Sequence, residues 1–321
     1  MKQETWYTKE EAETDPKFGA IPEKRSIEEL LEKGFVVIDK PYGPTSNQVS
    51  YWVKEELKLK KTGHFGTLDP NATGILPIGL DSGTRINPAL SKADKEYIFE
   101  IKLNHEKPEE KIREVLQEFE GVNKQVPPEK SAVKKQERKR EVYEIELIET
   151  EGKKILGRVK CESGFYVRVL AEQLGEKLDT EAEMTELRRT MQGGLKEENL
   201  NTLQEVVDAY KFYTRDNKEE PLREVLNPIE RAVTHLRKIV VKDSAVNAVA
   251  NGSNLGSSGI SKLQGNISEG ETVAVVTLKG ELIALGDSKA SSQEMYDSDL
   301  EAVNINNVYM DPGIYPKRWK Q

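Results

Sequence analysis

Residues 63–74, Gly-His-Phe-Gly-Thr-Leu-Asp-Pro-Asn-Ala-Thr-Gly, place three glycines and a proline around a single aspartate, Asp69. Because glycine adopts backbone conformations that other residues avoid, this stretch predicts a shaped loop rather than a helix or a regular strand. Pro70 fixes the backbone after Asp69 and disfavours the helical conformation at Asp69 itself. Two interpretations of the carboxylate stay open: a cap of the turn, or a preorganised nucleophile with His64 on the same loop.

Three other strings flank this loop in the sequence. Residues 39–46, Asp-Lys-Pro-Tyr-Gly-Pro-Thr-Ser, predict a turn that ends with Ser46 as the N-cap of a helix. A Lys-Glu-Tyr string begins a strand whose apolar face includes Tyr97, either as a core aromatic or as a platform for a base. A Gly-Phe-Tyr-Val-Arg string ends with Arg168 in an apolar setting, where the guanidinium either reaches water or pairs with a carboxylate.

The four strings together resemble the TruB-type pseudouridine synthases, and their flanks resemble the dyskerin branch of that family, the catalytic subunit of box H/ACA ribonucleoproteins. Residues 186–193, Glu-Leu-Arg-Arg-Thr-Met-Gln-Gly, resemble a further family segment. Residues 279–286, Lys-Gly-Glu-Leu-Ile-Ala-Leu-Gly, resemble a PUA domain. This resemblance implies an α+β fold, a mixed and mainly antiparallel sheet with flanking helices, followed by a C-terminal PUA β-barrel that binds RNA.

The resemblance also implies roles for single residues. Asp69 would be the catalytic nucleophile, Tyr97 would stack on the target base, and Arg168 would orient Asp69. A second set of residues is expected to bind substrate or RNA: His64, Lys40, Lys95, Leu187, Lys134 and Lys135. For His64, a bond to the loop backbone remains an equal alternative.

Two positions depart from the family pattern. Phe65 stands where the family usually has a small Ser or Thr, so an aromatic ring beside His64 needs extra space or reshapes the loop. Tyr42 stands where the dyskerin branch commonly has a basic residue. Phe65 puts the detailed geometry of the pocket in question more than the reaction itself.

Composition limits the classes of function. The 321 residues are 36% hydrophobic and 32% charged, which suits one large and one small domain. No apolar run approaches the length of a membrane span and no signal peptide is evident, so we expect a cytoplasmic protein without membrane contact. A single cysteine, Cys161, and three scattered histidines argue against a disulfide framework and against a Cys/His zinc site.

The charge distribution predicts where RNA would bind. The net charge of −8 argues at first against a nucleic-acid partner, but RNA binding depends on local patches. Basic residues cluster in residues 130–140 and at Lys317, Arg318 and Lys320 near the C-terminus. Either cluster fits a solvated face or an RNA contact, and we expect RNA contact to be confined to one face.

Changes in residue composition and pattern along the chain predict four segments: an N-terminal extension over residues 1–33, a catalytic domain over 34–236, a PUA domain over 237–313, and a basic tail over 314–321. Ser26 with Glu29 and Thr202 with Glu205 predict capping boxes at helix starts. An apolar run on each side of Lys279 and Gly280 predicts a β-hairpin.

The resemblance implies an RNA pseudouridine synthase, which converts uridine to pseudouridine without redox change, net hydrolysis or a group donor, so no cofactor is expected. The resemblance implies that a box H/ACA guide RNA and small core proteins select uridines in rRNA, and it allows action on uridine 55 of tRNA. Two alternatives stay open: a stand-alone tRNA pseudouridine-55 synthase, and a non-catalytic RNA-binding scaffold that Phe65 would favour.

Overall fold

The computed structural model describes residues 5–127 and 134–317. Contacts divide the chain into two compact units. The larger unit runs from Leu31 to Asn227, and the smaller one combines the described residues up to Leu30 with those from Pro228 onward. Among the described residues, no helix has the length and apolar character needed to cross a membrane.

Strands and helices alternate irregularly along the chain. The strands are β1 (Trp6–Thr8), β2 (Phe35–Lys40), β3 (Thr62–His64), β4 (Ala72–Leu80), β5 (Lys95–Leu103), β6 (Gly121–Gln125), β7 (Arg138–Glu151), β8 (Lys154–Cys161), β9 (Ala182–Gln192), β10 (Leu195–Lys196), β11 (Arg237–Val241), β12 (Leu255–Gly256), β13 (Ile260–Gln264), β14 (Thr272–Val276), β15 (Leu282–Ser288) and β16 (Glu301–Val308). The α-helices are α1 (Ile27–Lys33), α2 (Ser46–Glu56), α3 (Asn87–Ser91), α4 (Glu109–Gln117), α5 (Val167–Lys177), α6 (Leu203–Asp216), α7 (Glu220–Val225), α8 (Asp243–Ala250) and α9 (Ser292–Asp297). Short 3-10 turns cover Pro22–Lys24, Asp81–Ile86, Glu197–Asn199, Ile229–Val233 and Ser257–Gly259.

The larger unit is built on one long sheet with the strand order β2-β4-β9-β5-β8-β7-β6. Every neighbouring pair along this path is antiparallel except β4 and β9, which run parallel. β3 pairs with β4, and β10 pairs with β9. The predicted α+β class with a mainly antiparallel sheet and flanking helices is therefore confirmed.

Apolar side chains of β5 and its neighbours form one core cluster of this unit with α4 and α5. Phe99, Ile101 and Leu103 on one face of β5 are buried in this cluster, and Tyr97 packs against it. Gly175 lies inside α5, which continues to Lys177. A Cβ at Gly175 would lie 2.8 Å from the Thr180 carbonyl oxygen, so the glycine permits close packing there.

The smaller unit contains a sheet with the order β1-β13-β11-β14-β15-β16-β12. The predicted hairpin is confirmed, since β14 and β15 pair antiparallel around Gly280, whose φ is +86°. The sequence predicted the N-terminal residues as an extension, whereas β1 adds an edge strand to β13. Tyr315, in the predicted tail, is buried and donates a 2.8 Å hydrogen bond to Glu281.

Helix starts in the larger unit follow the sequence, with one correction. Thr202 and Glu205 form the predicted capping box of α6. At α2, however, the N-cap is Thr45, whose hydroxyl accepts from the Gln48 amide at 3.1 Å while the Gln48 side chain accepts from the Thr45 amide at 2.8 Å. The prediction of Ser46 as the cap is wrong because Ser46 is the first residue of the helix and its hydroxyl points to the loop that carries Asp69.

Candidate active site

Asp69 lies in the loop between β3 and β4, at the edge of an open cleft of about 610 Å³. The cleft is lined by residues of that loop, of α5 and of β9: Asp69, Pro70, Asn71, Arg168, Glu172, Ala182, Glu183 and Met184. The Asp69 side chain is 52% exposed, so the carboxylate is accessible to a molecule in the cleft. The predicted loop is shorter than expected, because Gly63 and His64 belong to β3 and Ala72 begins β4.

Arg168 contacts Asp69 across a sequence separation of 99 residues. Its guanidinium Nη2 donates a hydrogen bond to Asp69 Oδ2. Arg168 is the second residue of α5, so a rigid helix presents the cation to the loop. A charge-assisted hydrogen bond of this kind fixes the direction of a carboxylate. The structure thus brings together two residues that the sequence predicted as partners.

Tyr97 lies near this pair, on the central strand β5. Its ring is partly buried and packs against the core cluster, and the strand register pairs Tyr97 with Arg189 on β9. Burial raises the pKa of the Tyr97 hydroxyl above its ordinary value, and the charge of Arg189 opposes that shift. The phenol is therefore protonated at neutral pH, and the ring offers a neutral aromatic surface.

Lys40 holds the backbone of the Asp69 loop. Its side chain is fully buried, and its ammonium donates to the carbonyl oxygens of Pro41 (3.0 Å), Pro70 (3.2 Å) and Ala72 (2.7 Å). Burial lowers the pKa of Lys40, while the charge of Asp69 raises it. The prediction that Lys40 binds RNA does not fit this geometry, because a buried ammonium with three carbonyl partners does not face a ligand.

Lys95 is likewise buried, with only 5% of its surface exposed. Its ammonium donates to the Ser91 and Ala93 carbonyl oxygens and, at 2.9 Å, to the Ser163 hydroxyl. Burial lowers the pKa of Lys95 to about 8. The predicted RNA contact of Lys95 is replaced by a structural role, since its charge ties the start of β5 to two neighbouring loops.

The depressed pKa of Lys95 predicts a pH-dependent stability. Between about pH 8 and the ordinary lysine value near 10.4, the unfolded chain holds a proton that the folded chain has lost, so the free energy of unfolding rises with pH. We expect the unfolding free energy of the wild type, relative to that of Lys95→Met, to increase by about 1 to 2 kcal/mol between pH 7.5 and 9.5. The measurement is urea unfolding at each pH. Lys102→Met, an exposed lysine on the same strand, is the control for loss of a positive charge. A constant difference across this range would contradict the assignment.

Ser46 clamps the residue immediately before Asp69. Its buried hydroxyl accepts a 2.8 Å hydrogen bond from the Leu68 amide and donates one of 2.8 Å to the Leu68 carbonyl oxygen. One side chain therefore satisfies both backbone groups of a loop residue, which have no strand partner there. The first turn of α2 is thereby attached to the loop that carries the carboxylate.

Replacing Ser46 with Ala is expected to lower the unfolding free energy by about 1 to 3 kcal/mol, because the Leu68 amide is then buried without an acceptor. We expect a larger loss in the rate of the reaction at Asp69 than stability alone explains, since the loop loses its clamp. Thr45→Ala is the matched control: it removes the cap of the same helix and costs about 1 kcal/mol, but leaves the clamp intact. Equal effects of the two substitutions on the rate would refute the clamp.

Arg189 and Gln192 on β9 were not singled out as buried site residues by the sequence. Arg189 is 1% exposed, and its guanidinium donates to the Ile75 carbonyl oxygen at 2.8 Å and to that of Gly66 at 3.0 Å. The Gln192 amide donates to the carbonyl oxygens of Phe65 and Leu90. Side chains of strand β9 therefore hold the chain on both sides of Asp69: at Phe65 and Gly66 before it, and at Ile75 in β4 after it.

Close packing at Gly66 accompanies these bonds. Gly66 has φ +127°, and a Cβ there would lie 3.2 Å from Gln192 Nε2 and 3.4 Å from Arg189 Nη1. The charge of Arg189 also contributes to the lowered pKa of His64, for which burial is the main cause. The adjacent Arg188 faces the other side of the strand and pairs with Asp39 and Glu197.

Phe65 does not enter the cleft. Its ring is 1% exposed, lies 6.4 Å from the ring of Phe35, and covers Gly79 of β4. A Cβ at Gly79 would lie 2.5 Å from Phe65 Cζ. The extra space that the Phe65 ring needs therefore exists in the core, where a glycine faces the ring.

The remaining predicted residues lie apart from Asp69 or at its margin. His64 Nε2 lies 3.0 Å from Asn47 Oδ1, and the imidazole lines a second groove formed by α2 and β3 rather than the cleft. Leu187 is paired with Ala72, directly after the loop. Lys134 and Lys135 are exposed in the segment before β7, while Lys130, Arg318 and Lys320 lie outside the described residues.

The ion-paired Asp69 on a preorganised loop and the β-rich smaller unit fit an RNA-modifying enzyme of the pseudouridine synthase class. Family models agree along the chain: a TruB family pseudouridylate synthase N-terminal domain matches residues 54–167, and a tRNA pseudouridylate synthase B C-terminal domain matches residues 168–234. A PUA domain matches residues 237–309, and a DKCLD (NUC011) domain matches residues 1–50. The chain belongs to the TruB family of pseudouridine synthases and is an isomerase that acts on RNA.

Individual relatives are similar over the whole length. The chain is 47% identical to a probable tRNA pseudouridine synthase B of Methanocaldococcus jannaschii over 98% of this chain and 94% of the relative. It is 44% identical to the protein of the same description from Archaeoglobus fulgidus over 100% and 99% of the two chains.

Solved structures match equally well. A chain in a Cbf5-Nop10-Gar1 complex matches with TM-score 0.93 and 46% identity, covering 98% of this chain and 97% of that one. A chain in an H/ACA RNP bound to a substrate RNA containing 2′-deoxyuridine matches with TM-score 0.91 and 44% identity, covering 99% and 98%.

Proposed function

We propose that this chain isomerises uridine in an RNA presented by a box H/ACA guide RNA, in a complex with small core proteins. The observation that carries this proposal is the end-to-end match to chains solved with Nop10 and Gar1 and in an H/ACA RNP with substrate RNA. Both units take part in the match, because it covers 97% or more of each of these solved chains. The PUA domain and the exposed Lys134 and Lys135 are the proposed contacts to RNA outside the cleft.

The reaction breaks the bond between N1 of uracil and C1′ of ribose, and then joins C5 of the base to C1′. The proton lost from C5 is balanced by one gained at N1, so the product is an isomer of the substrate. Asp69, accessible and aimed by Arg168, is the proposed nucleophile. Its point of attack is either C6 of the base or C1′ of the ribose.

The target uridine must leave the RNA stack before it can reach Asp69. Unstacking a base costs a few kcal/mol, and an aromatic side chain that receives the flipped base offsets part of that cost. Tyr97 is the proposed platform, since its ring is partly exposed, Asp69 is close enough to act on the pKa of its hydroxyl, and that hydroxyl is protonated. Leu187, which packs partly buried against the same core cluster as Tyr97, is the proposed wall of the pocket.

The names of the relatives support a second substrate. The archaeal relatives are described as probable tRNA pseudouridine synthases B, which makes tRNA the alternative substrate. The family resemblance adds the position, uridine 55, and modification without a guide. The two functions differ in what the purified protein does alone.

Single-turnover pseudouridine formation separates the possibilities. The protein is mixed with an unmodified tRNA transcript, or with a substrate RNA complementary to the guide, each with and without guide RNA and small core proteins. Product on the guide-paired RNA only with the full set of components supports the guided function. Product on tRNA with protein alone supports the stand-alone function. RNA binding without product in any mixture would leave only the scaffold interpretation.

A further inference from the structure

The turn formed by Pro41, Tyr42 and Gly43 is attached to the loop of the proposed nucleophile. The Gly43 amide donates a 2.8 Å hydrogen bond to the Pro70 carbonyl oxygen. The buried Lys40 ammonium bridges the carbonyl oxygens of Pro41 and Pro70, at 3.0 and 3.2 Å. Because Pro70 itself lines the cleft, this turn is held at the cleft's edge by three hydrogen bonds.

Tyr42 is the most exposed large hydrophobic residue in the described part of the chain, at 71%. Pro41 restricts the backbone before it, and Gly43, with φ +112°, completes the turn after it. Among the described residues, no hydrogen bond or ring contact engages the Tyr42 side chain. The residues on each side of Tyr42, Pro41 and Gly43, are held by hydrogen bonds, so the turn presents the Tyr42 ring to solvent from a fixed backbone.

An aromatic ring in this place suits a nucleotide. When a target base is flipped out, the bases on each side of it lose a stacking neighbour and become exposed at the edge of the cleft. Aromatic side chains stack on any base, because every base has a π-face. The single exposed ring at the turn is small for a protein interface, which buries many residues on each side.

We propose that Tyr42 stacks on a nucleotide adjacent to the target uridine and thereby sets the affinity for the substrate RNA. This inference rests on the proposed function, in that the cleft is taken to receive a uridine from RNA. Tyr42 acts on binding and not on the bond changes at Asp69. Its removal is therefore expected to raise the RNA concentration required for half-maximal rate while leaving the maximal single-turnover rate close to wild type.

The test uses the full chain with guide RNA, small core proteins and substrate RNA that carries 2-aminopurine next to the target uridine. In an Asp69→Asn background, the Tyr42 ring is expected to change 2-aminopurine fluorescence on binding. Tyr42→Ala should remove this change and weaken substrate binding about five- to tenfold, whereas Tyr42→Phe should match wild type. Phe212→Ala, which removes an exposed aromatic on α6, is the matched control.

Two results would overturn the inference. One is substrate affinity and fluorescence within twofold of wild type for Tyr42→Ala. The other is weaker binding of a small core protein with unchanged affinity for RNA, which would make Tyr42 a protein contact. Absence of product with the wild-type chain contradicts the proposed function instead, and the fluorescence signal still decides whether Tyr42 stacks on RNA.

Discussion

Replacing Asp69 with Asn is expected to abolish pseudouridine formation, with a loss on the order of 10⁴-fold or more in the single-turnover rate. The amide cannot act as a nucleophile in place of the carboxylate, and the chemical step has no other group in the cleft with the same position and aim. Glu172 and Glu183 also line the cleft, but the hydrogen bond from Arg168 goes to Asp69. The measurement is product formation from a guide-paired RNA under single-turnover conditions.

The substitution is expected to leave the fold and RNA binding unchanged. Asn has the shape of Asp, half of the side chain is exposed, and the Asn carbonyl oxygen still accepts a hydrogen bond from Arg168. Asp39→Asn is the matched control. Asp39, on strand β2, also pairs with an arginine, since it lies 2.9 Å from Arg188. A rate for Asp69→Asn equal to wild type would falsify the nucleophile assignment, and an equal loss in Asp39→Asn would show that a general disturbance is the cause.

The candidate site could be predicted from the sequence only as far as its motifs reach. Asp69 and Arg168 are 99 residues apart, and no periodicity joins them, so their pairing came from a family resemblance. Charged residues are rarely fully buried, so the sequence predicts Lys40 and Lys95 as RNA contacts and does not single out Arg189, whereas all three are buried.

Arg188 and Arg189 are adjacent in the sequence, and their positions in a strand indicate which of the two is buried. Successive residues of a strand point to opposite faces, so one member of an Arg-Arg pair in a strand between two others must face inward. Strand β9 lies between β4 and β5, and Arg189 is the member that faces the loop. The position of residues 186–192 in a central strand is therefore the feature that predicts a buried guanidinium.

The fold itself followed the sequence more closely, because its signals are local. The hairpin around Gly280 and the capping box at Thr202 depend on neighbouring residues, and both are confirmed. The pairing of β1 with β13 joins Tyr7 to Leu263 across most of the chain, and a three-residue strand gives no pattern from which to predict it.

Gly79→Ala is expected to be strongly destabilising because of Phe65. The new methyl group would lie 2.5 Å from Phe65 Cζ and 2.8 Å from the Thr84 Cα, which are distances that no packed core accepts. We expect a loss of about 1 to 3 kcal/mol in the unfolding free energy from overpacking. Phe65→Ala is expected to lose about 3 to 5 kcal/mol, since it empties the volume between Gly79 and Phe35. The two losses of unfolding free energy are measured by hydrogen exchange at the amides of β2 and β4.

The double substitution decides whether the glycine exists to receive the ring. If it does, Gly79→Ala costs less in the Phe65→Ala background, with a coupling of at least about 1 kcal/mol, although the contact with Thr84 keeps the relief partial. Phe65→Leu provides a milder background in case the alanine variant does not fold. Gly157→Ala is the control, because a Cβ there would meet a different ring, Phe99, at 2.3 Å and should add independently to Phe65→Ala.

If the losses of unfolding free energy from Phe65→Ala and Gly79→Ala simply add, the packing of the Phe65 ring does not depend on the missing side chain at Gly79. Coupling would explain how this chain carries a phenylalanine beside His64 while the cleft keeps its shape. The ring then contributes to the core between β2 and β4, where its volume is matched by a missing side chain, and the backbone of residue 65 remains free to accept the hydrogen bond from Gln192. In that case the departure at Phe65 changes the stability of the Asp69 loop and leaves its chemistry intact.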